Sequence, residues 1–365
     1  MGCALLFFVT LPFRVHSQSP HSARPKTNTV VGDRISGGVV FAGRLWLRGT
    51  TVGKRSGDRT GGLISFSLAD MSERQDFATG VLGIDMIGPD FWVLRKSPSS
   101  SAEWILSVLQ DDSFADRARF LASDEDKPLA LFSDGEAPAV LSQKSIRILA
   151  GDGNWKLIGL QSALRQGVQM QVASPTTGGT AYIGINIGEW GGGLQRVDLT
   201  NGAVTSVERR DSTQLCAGPL NSDCDPVTGV IPDPHNKGCV LASIGLVHFL
   251  SHGRILRVCG EEVSVIFEQK KTTQINNRDL DESDSIYGLA PASDGYWAVT
   301  PGALYHFEAN ENPPTRYSLP KLEPNSGVYM SRDVQGAIVI RTDVNWAVSV
   351  SGYTPLVVAL NEPKP

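Results

Sequence analysis

Four cysteines, Cys216, Cys224, Cys239 and Cys259, fall in one stretch of the chain, and a fifth, Cys3, stands at its start. An even set in an exported chain reads as two disulfides, and four cysteines allow three pairings. Cys216 and Cys224 enclose a loop, 217–223, rich in Gly, Pro, Asn and Asp, which a bridge would pin. Cys239 opens one apolar segment (CVLAS) and Cys259 closes another (GRILRVC). Antiparallel pairing of these segments would bring both cysteines within the ~5.5 Å Cα separation of a disulfide. Zinc ligation is the competing chemistry, but no C-x2-C pair exists. The spacing leaves the connectivity open.

Other side chains capable of chemistry are more scattered. His248 and His306 occupy matching phrases (LVHF, LYHF), where other copies carry Ser65 and Arg196, so they read as strand residues of different units and not as a metal pair. Asp294, Asp333 and Asp233 stand at matching turns, where a carboxylate either bonds its own turn amides or offers oxygens to calcium at a rim. The turn role is preferred, for Asp233-Pro234-His235-Asn236 in particular; no cofactor is assigned, and calcium is the one cation the pattern suggests. The run Arg278 to Asp284 is expected as a solvated acidic loop. Gly191-Gly192-Gly193 lacks the Lys-Ser/Thr pair and the strand-to-helix setting of a phosphate loop, which leaves a β-turn. No G-x-S-x-G elbow or Ser, His and Asp grouping is present, so catalytic residues are unassigned.

The elements that position these groups are strands. The chain has 365 residues, 41% hydrophobic, with 38 Gly, 21 Pro and a net charge of −5. This is too apolar for a disordered chain, and neither the charge nor the isolated Lys270-Lys271 pair suits nucleic acid. A phrase recurs in which an aromatic-bearing strand leads through a Gly-containing turn to Leu and an alternating strand: 43–49 with 61–68, 181–190 with 191–199, and 295–302 with 303–308. Period-two alternation bounded by Gly, Asn and Asp marks antiparallel hairpins. Weaker copies at 90–109, 129–157, 227–269 and 327–360 fill the intervals. Units then start near residues 30, 84, 129, 169, 227, 285 and 326. Their spacing is close to the ~40 to 50 residues of a propeller blade. The expected fold is all-β: a single β-propeller of seven four-stranded blades over residues 30–365, closed where 34–41 meets the last blade. Ser113 to Ser123 is the best helical candidate and is expected as a loop insertion. The seven tryptophans, about one per unit, suit packing between blades.

Ahead of this domain, Ala4 to Phe13 is a short apolar run with a small-residue exit, so residues 1–17 read as a signal peptide and 18–29 as a linker. The n-region carries no Lys or Arg side chain, which suggests a late start. Cys3 precedes the apolar run, and position 6 is not Ser or Thr, so neither lipid-attachment pattern fits. No segment reaches the ~18 apolar residues of a membrane helix. The mature protein is expected to be secreted or periplasmic.

At Ile286 to Phe307 the sequence resembles the repeat of bacterial extracytoplasmic sensor propellers, matched in order by Asp294, Gly295, Trp297, Thr300, Gly302, Leu304 and Phe307. Asp333 and Gly336 repeat its Asp and Gly without the aromatic. The resemblance implies a propeller that senses ligands ahead of a membrane helix and a kinase. Because Pro365 ends the chain with neither, a free-standing exported propeller is the expectation. Its expected role is to bind a protein, small-molecule or carbohydrate partner at one rim or at the channel mouth. The alternative is a propeller hydrolase or lyase with a cation in the channel.

Overall fold

The computed structural model describes residues 34–50, 60–70, 72–167, 169–175, 178–214, 216–248, 250–275, 277–309, 313–319, 328–333, 336–341, 346–351 and 354–359. The expected signal peptide and linker lie outside these residues. Apart from one 3-10 turn, Gly188–Trp190, every regular element described is a strand, and every ladder is antiparallel. Four-stranded sheets cover 128–159, 169–207, 227–267, 288–318 and 328–359, and each runs up and down in chain order. Residues 34–121 form one seven-stranded sheet. Its long strand Glu73–Ile87 pairs through its first half with Gly61–Ser67 and through its last half with Asp90–Lys96. The ladder shifts register where these halves meet, at Gly80, whose φ of +89° favours glycine. This strand therefore ends one four-stranded group and begins the next.

The recurring phrase marks the second and third strands of a sheet: Arg44–Thr50 with Gly61–Ser67, Thr180–Asn186 with Gly192–Asp198, and Gly295–Val299 with Ala303–Glu308. Two segments depart from expectation. Ser113–Leu121 is neither helix nor loop but a strand, the last of its sheet, paired with Glu103–Gln110. As an outermost strand it is largely exposed and carries polar residues that blur its alternation. The acidic run is likewise a strand, Arg278–Ser283, in a hairpin with Lys270–Ile275. There Thr273 donates to Glu282, and Lys271 pairs with Asp284.

The first strands of successive groups meet one another: Arg34–Phe41, the last half of Glu73–Ile87, Pro128–Ser133, Gln169–Ala173, Val227–Pro232, Gly288–Pro291 and Val328–Asp333, which in turn touches Arg34–Phe41. They converge so closely that glycine is needed. A Cβ on Gly83 would stand 2.9 Å from Cβ of Leu131, and one on Gly288 would stand 2.7 Å from Cβ of Met330. Consecutive residues of a strand face opposite neighbours, so each sheet is buried on both faces. Tyr182 packs with Val240, and Ile183 with Phe132. Leu241 joins Ala298, Trp297 joins Val339, and Ile338 joins Ile35, Leu45 and Leu47 of the first group. Trp46 lies among Met86 and Phe91, and Trp104 with Val140. Small sheets set side by side around a common centre, each covering its neighbour, are the architecture of a β-propeller.

Candidate functional site

In an up-and-down sheet the turns between strands one and two and between three and four lie at one end. The two-to-three turns and the links to the next sheet lie at the other. Among the described residues the first end carries short turns, the longest wholly described being 233–239. The second carries four elaborations concentrated on the 169–207 and 227–267 sheets: the turn 187–191, the link 208–226, the hairpin of Val240–His248 with Leu250–Cys259, and the hairpin 270–283.

The link 208–226 is built as a rigid cap. Cys216 and Cys224 are bridged, with Cα atoms 5.3 Å apart. Gly192 and Gly193 donate their amides to the carbonyls of Ser222 and Asp225, at 2.9 Å each. Gly191 to Gly193 all have positive φ, and a Cβ on Gly192 would fall 1.9 Å from the Ile185 carbonyl oxygen. Of the triple glycine expected as a turn, Gly191 alone closes the turn 187–191; Gly192 and Gly193 open the strand Gly192–Asp198, and the cap rests on them. Ser222 donates to Glu208, which with Asp223 holds Arg210 at 3.0 Å.

Beneath the cap lies the most buried ionic group at this end. Arg254 Nη2 donates to Asp225 Oδ2 at 2.7 Å, and its Nε donates to the Pro219 carbonyl at 2.8 Å. The Asn221 amide donates to the same Asp225 oxygen at 2.7 Å. Burial pushes the Asp225 carboxyl up, and Arg254 and these donors draw it back down. His252 Nε2 stands 3.8 Å from Asp225 Oδ1, and its side chain is 36% exposed. Burial, reinforced by the Arg254 charge, holds this imidazole below the ordinary 6.5, so it is neutral at pH 7 and presents one donor and one acceptor. Elsewhere at this end two large apolar side chains are exposed, Trp190 (70%) in the turn 187–191 and Val247 (57%) near the hairpin tip, where Val247 pairs with Ser251 and so faces away from His252 and Arg254. This end therefore offers two kinds of recognition chemistry, an exposed aromatic anchor and a fixed polar group.

Other sequence-predicted residues fall elsewhere. Cys239 and Cys259 form the second disulfide, with Cα atoms 4.4 Å apart at the compact end, where the Val240↔Val258 register puts them side by side. Asp233 holds its turn, accepting from the His235 amide at 2.8 Å and from Arg257 Nε at 2.6 Å. Asp294 Oδ1 is 3.1 Å from His306 Nε2; with Glu308 these form the one group of three metal-capable side chains among the described residues, all on a single sheet. His306 is fully buried and stacked on Trp297 at 4.0 Å. His248 does not share its position: it ends a second strand, whereas His306 lies in a third, where the counterpart is Arg257. The hairpin of Val240 to Cys259 overshoots its sheet, and the LVHF phrase falls in that overhang. The side chain of Asp333 lies outside the described residues. Trp46, Trp92, Trp104 and Trp297 are buried and Trp155 is partly buried, as expected of packing tryptophans; among the described side chains Trp190 is the exposed one. Asp225, His252 and Arg254 carry no spacing that announces them. Only the nearness of Asp225 to Cys224 hints at a cap.

No protein-family model matches the chain, and no curated protein does. Solved structures do. A puromycin-hydrolyzing peptidase of Mycobacterium tuberculosis superposes with TM-score 0.51 at 12% identity, over 91% of this chain and 53% of that one. The β-propeller domain of the Trilobed protease from Pyrococcus furiosus gives 0.46 at 8% identity, over 92% and 97%. The extracellular domain of a putative hybrid two-component system from B. thetaiotaomicron gives 0.36 at 13%, over 89% and 46%. This chain spans about half of the first and third of these. At such identities the likeness is one of fold.

Proposed function

We propose that the chain is an exported, seven-bladed β-propeller that acts as a binding module, holding a protein, small-molecule or carbohydrate partner on the face capped by 208–226. The blade count is supported by the ring of first strands and by the core clusters between successive groups, the last joining Ile338 to Ile35. Export is supported by two disulfides, which persist in oxidising compartments. The observation that carries the binding reading is the one-sided elaboration: a stapled loop and two hairpins gather over neighbouring blades, with Trp190 and Val247 exposed at the same end, while the described turns opposite stay short. Loops on a rigid scaffold are where recognition is placed.

The test is a glycan array and a panel of envelope and matrix polymers, probed with purified protein and with Trp190→Ala and Val247→Ser. Saturable binding weakened about tenfold or more by either substitution, with unchanged circular dichroism, is the expected result for an anchor at the centre of an interface. Binding that both variants retain in full would remove this face from the reading. N-terminal sequencing of material recovered outside the cytoplasm, expected to begin near residue 18, tests export.

A further inference from the structure

At the compact end, away from the capped face, a groove of about 480 Å³ separates the 169–207 and 227–267 sheets. Its size is that of a small-molecule site. Tyr182, Thr180, Thr200 and Arg196 line it from one sheet, and the turn glycines Gly238 and Gly260 from the other. The second disulfide flanks the groove, since Cys239 and Cys259 are the chain neighbours of these glycines.

Arg196 departs from its own repeat. It stands two residues before the end of its third strand, as do Arg147, Arg257 and His306 in theirs. Each of those three basic side chains has an aspartate within hydrogen-bond distance: Arg147 with Asp126 at 3.2 Å, Arg257 with Asp233 at 2.6 Å and His306 with Asp294 at 3.1 Å. For the last two the aspartate comes from the turn between strands one and two. In the 169–207 sheet that turn supplies Ser174, Pro175, Gly178 and Gly179 and no carboxylate among its described residues. The acidic group described beside Arg196 is Glu261 at 3.8 Å, and its side chain is 92% exposed. Asp198 also lines the groove, but its carboxylate is spent on its own turn, accepting from the Thr200 amide, the Thr200 hydroxyl and Asn201 Nδ2. A guanidinium that is 27% exposed thus faces an open groove where its counterparts face an aspartate.

We propose that this groove binds a small carboxylate ligand, whose anionic end takes beside Arg196 the place that Asp233 takes beside Arg257 and Asp294 beside His306. The planar fork of arginine suits a carboxylate. Thr180 and Thr200 supply hydroxyls at the walls, and at Gly260, where a Cβ would stand 3.8 Å from Arg196 Nη1, the missing side chain leaves the guanidinium approachable. The site is independent of the capped face.

The test uses the whole protein and two probes of one shape, succinate and neutral succinamide, in calorimetric titrations at constant ionic strength. Saturable succinate binding is expected, with none for succinamide, and with affinity about tenfold or more weaker in Arg196→Gln. Gly178→Asp is the second variant. Gly178 has φ +68°, which aspartate tolerates, and open space around its Cβ position. The substitution returns a carboxylate to the turn and is expected to abolish succinate binding and raise the melting temperature. Equal succinate affinity in Arg196→Gln, or equal binding of succinamide, would overturn the proposal. So would absence of saturable succinate binding together with no gain in melting temperature for Gly178→Asp. Because none of these residues touches the 208–226 cap, failure here leaves the binding reading of that face standing, and the converse holds.

Discussion

Ile338, from the second strand of the last sheet, is buried in one cluster with Ile35, from the first strand of the first. The two ends of the described chain therefore meet through side chains, while the strand ladders stay within their own sheets. Ring integrity then depends on this contact more than on any hydrogen-bonded closure. Ile338→Ala is expected to cost about 2–5 kcal/mol, the range for a buried large-to-small change. Beyond the lower melting point, amide exchange should rise in Arg34–Phe41, on the far side of the contact. Exchange confined to the last sheet would show that the first sheet does not lean on it.

The two disulfides close loops of different length, with sequence separations of 8 and 20 residues. Chain-entropy reasoning gives each about 3 kcal/mol, with somewhat more for the longer loop. Replacing Cys239 and Cys259 together by alanine should lower global stability in urea unfolding. Replacing Cys216 and Cys224 should cost somewhat less globally and in addition loosen the cap, seen as faster proteolysis within 208–226. A larger global loss from the shorter loop would contradict this division of roles.

Much of this architecture is legible in the sequence because it is local. Alternation in AYIGINI and GYWAV, with Gly and Asn at the turns, marks hairpins over a few residues, and every sheet is made of chain neighbours. The misreadings occur where a strand lacks a second buried face. Ser113–Leu121 covers the outside of its sheet, so Arg117, Arg119 and Asp116 replace the apolar partners that alternation needs. His248 does not align with His306 because an overhanging hairpin repeats a phrase outside the register it holds in a sheet. The candidate sites are not legible at all: Asp225 and Arg254 lie 29 residues apart, and the distinction of Arg196 is a missing neighbour, visible only when the turns of three sheets are set side by side.

Asp225 and Arg254 form an ion pair whose side chains are 3% and 14% exposed. Removing one partner of such a pair leaves the other charge without compensation in a desolvated site. Asp225→Ala is expected to cost about 3–5 kcal/mol, of which the loss of the Asn221 amide acceptor is a part. Asp225→Asn keeps the shape and one acceptor and should recover some of that loss. If Asp225→Ala proved nearly neutral, the cap would have to be held by Gly192, Gly193 and the disulfide alone, and the polar floor would lose its structural basis.

The pH dependence of stability isolates His252. Its folded imidazole lies below the ordinary value of 6.5, through burial and then through Arg254. As pH falls through 6.5 the unfolded chain binds a proton here that the folded chain still refuses, so folding loses stability, and the loss levels off once the folded imidazole also protonates. Asp225 has the opposite sign. With its carboxyl raised above 3.8 by burial, the folded chain binds a proton that the unfolded chain has released, and stability declines as pH rises from 3.8 through the folded value. The two contributions are separated by subtraction. Urea unfolding at successive pH values from 7 downward should show a smaller loss just below 6.5 in His252→Gln than in the native chain. The difference will be modest, because a side chain 36% exposed keeps much of its solvation. Identical slopes in the two proteins would place His252 in an environment like water, with no part in the polar floor beneath the cap.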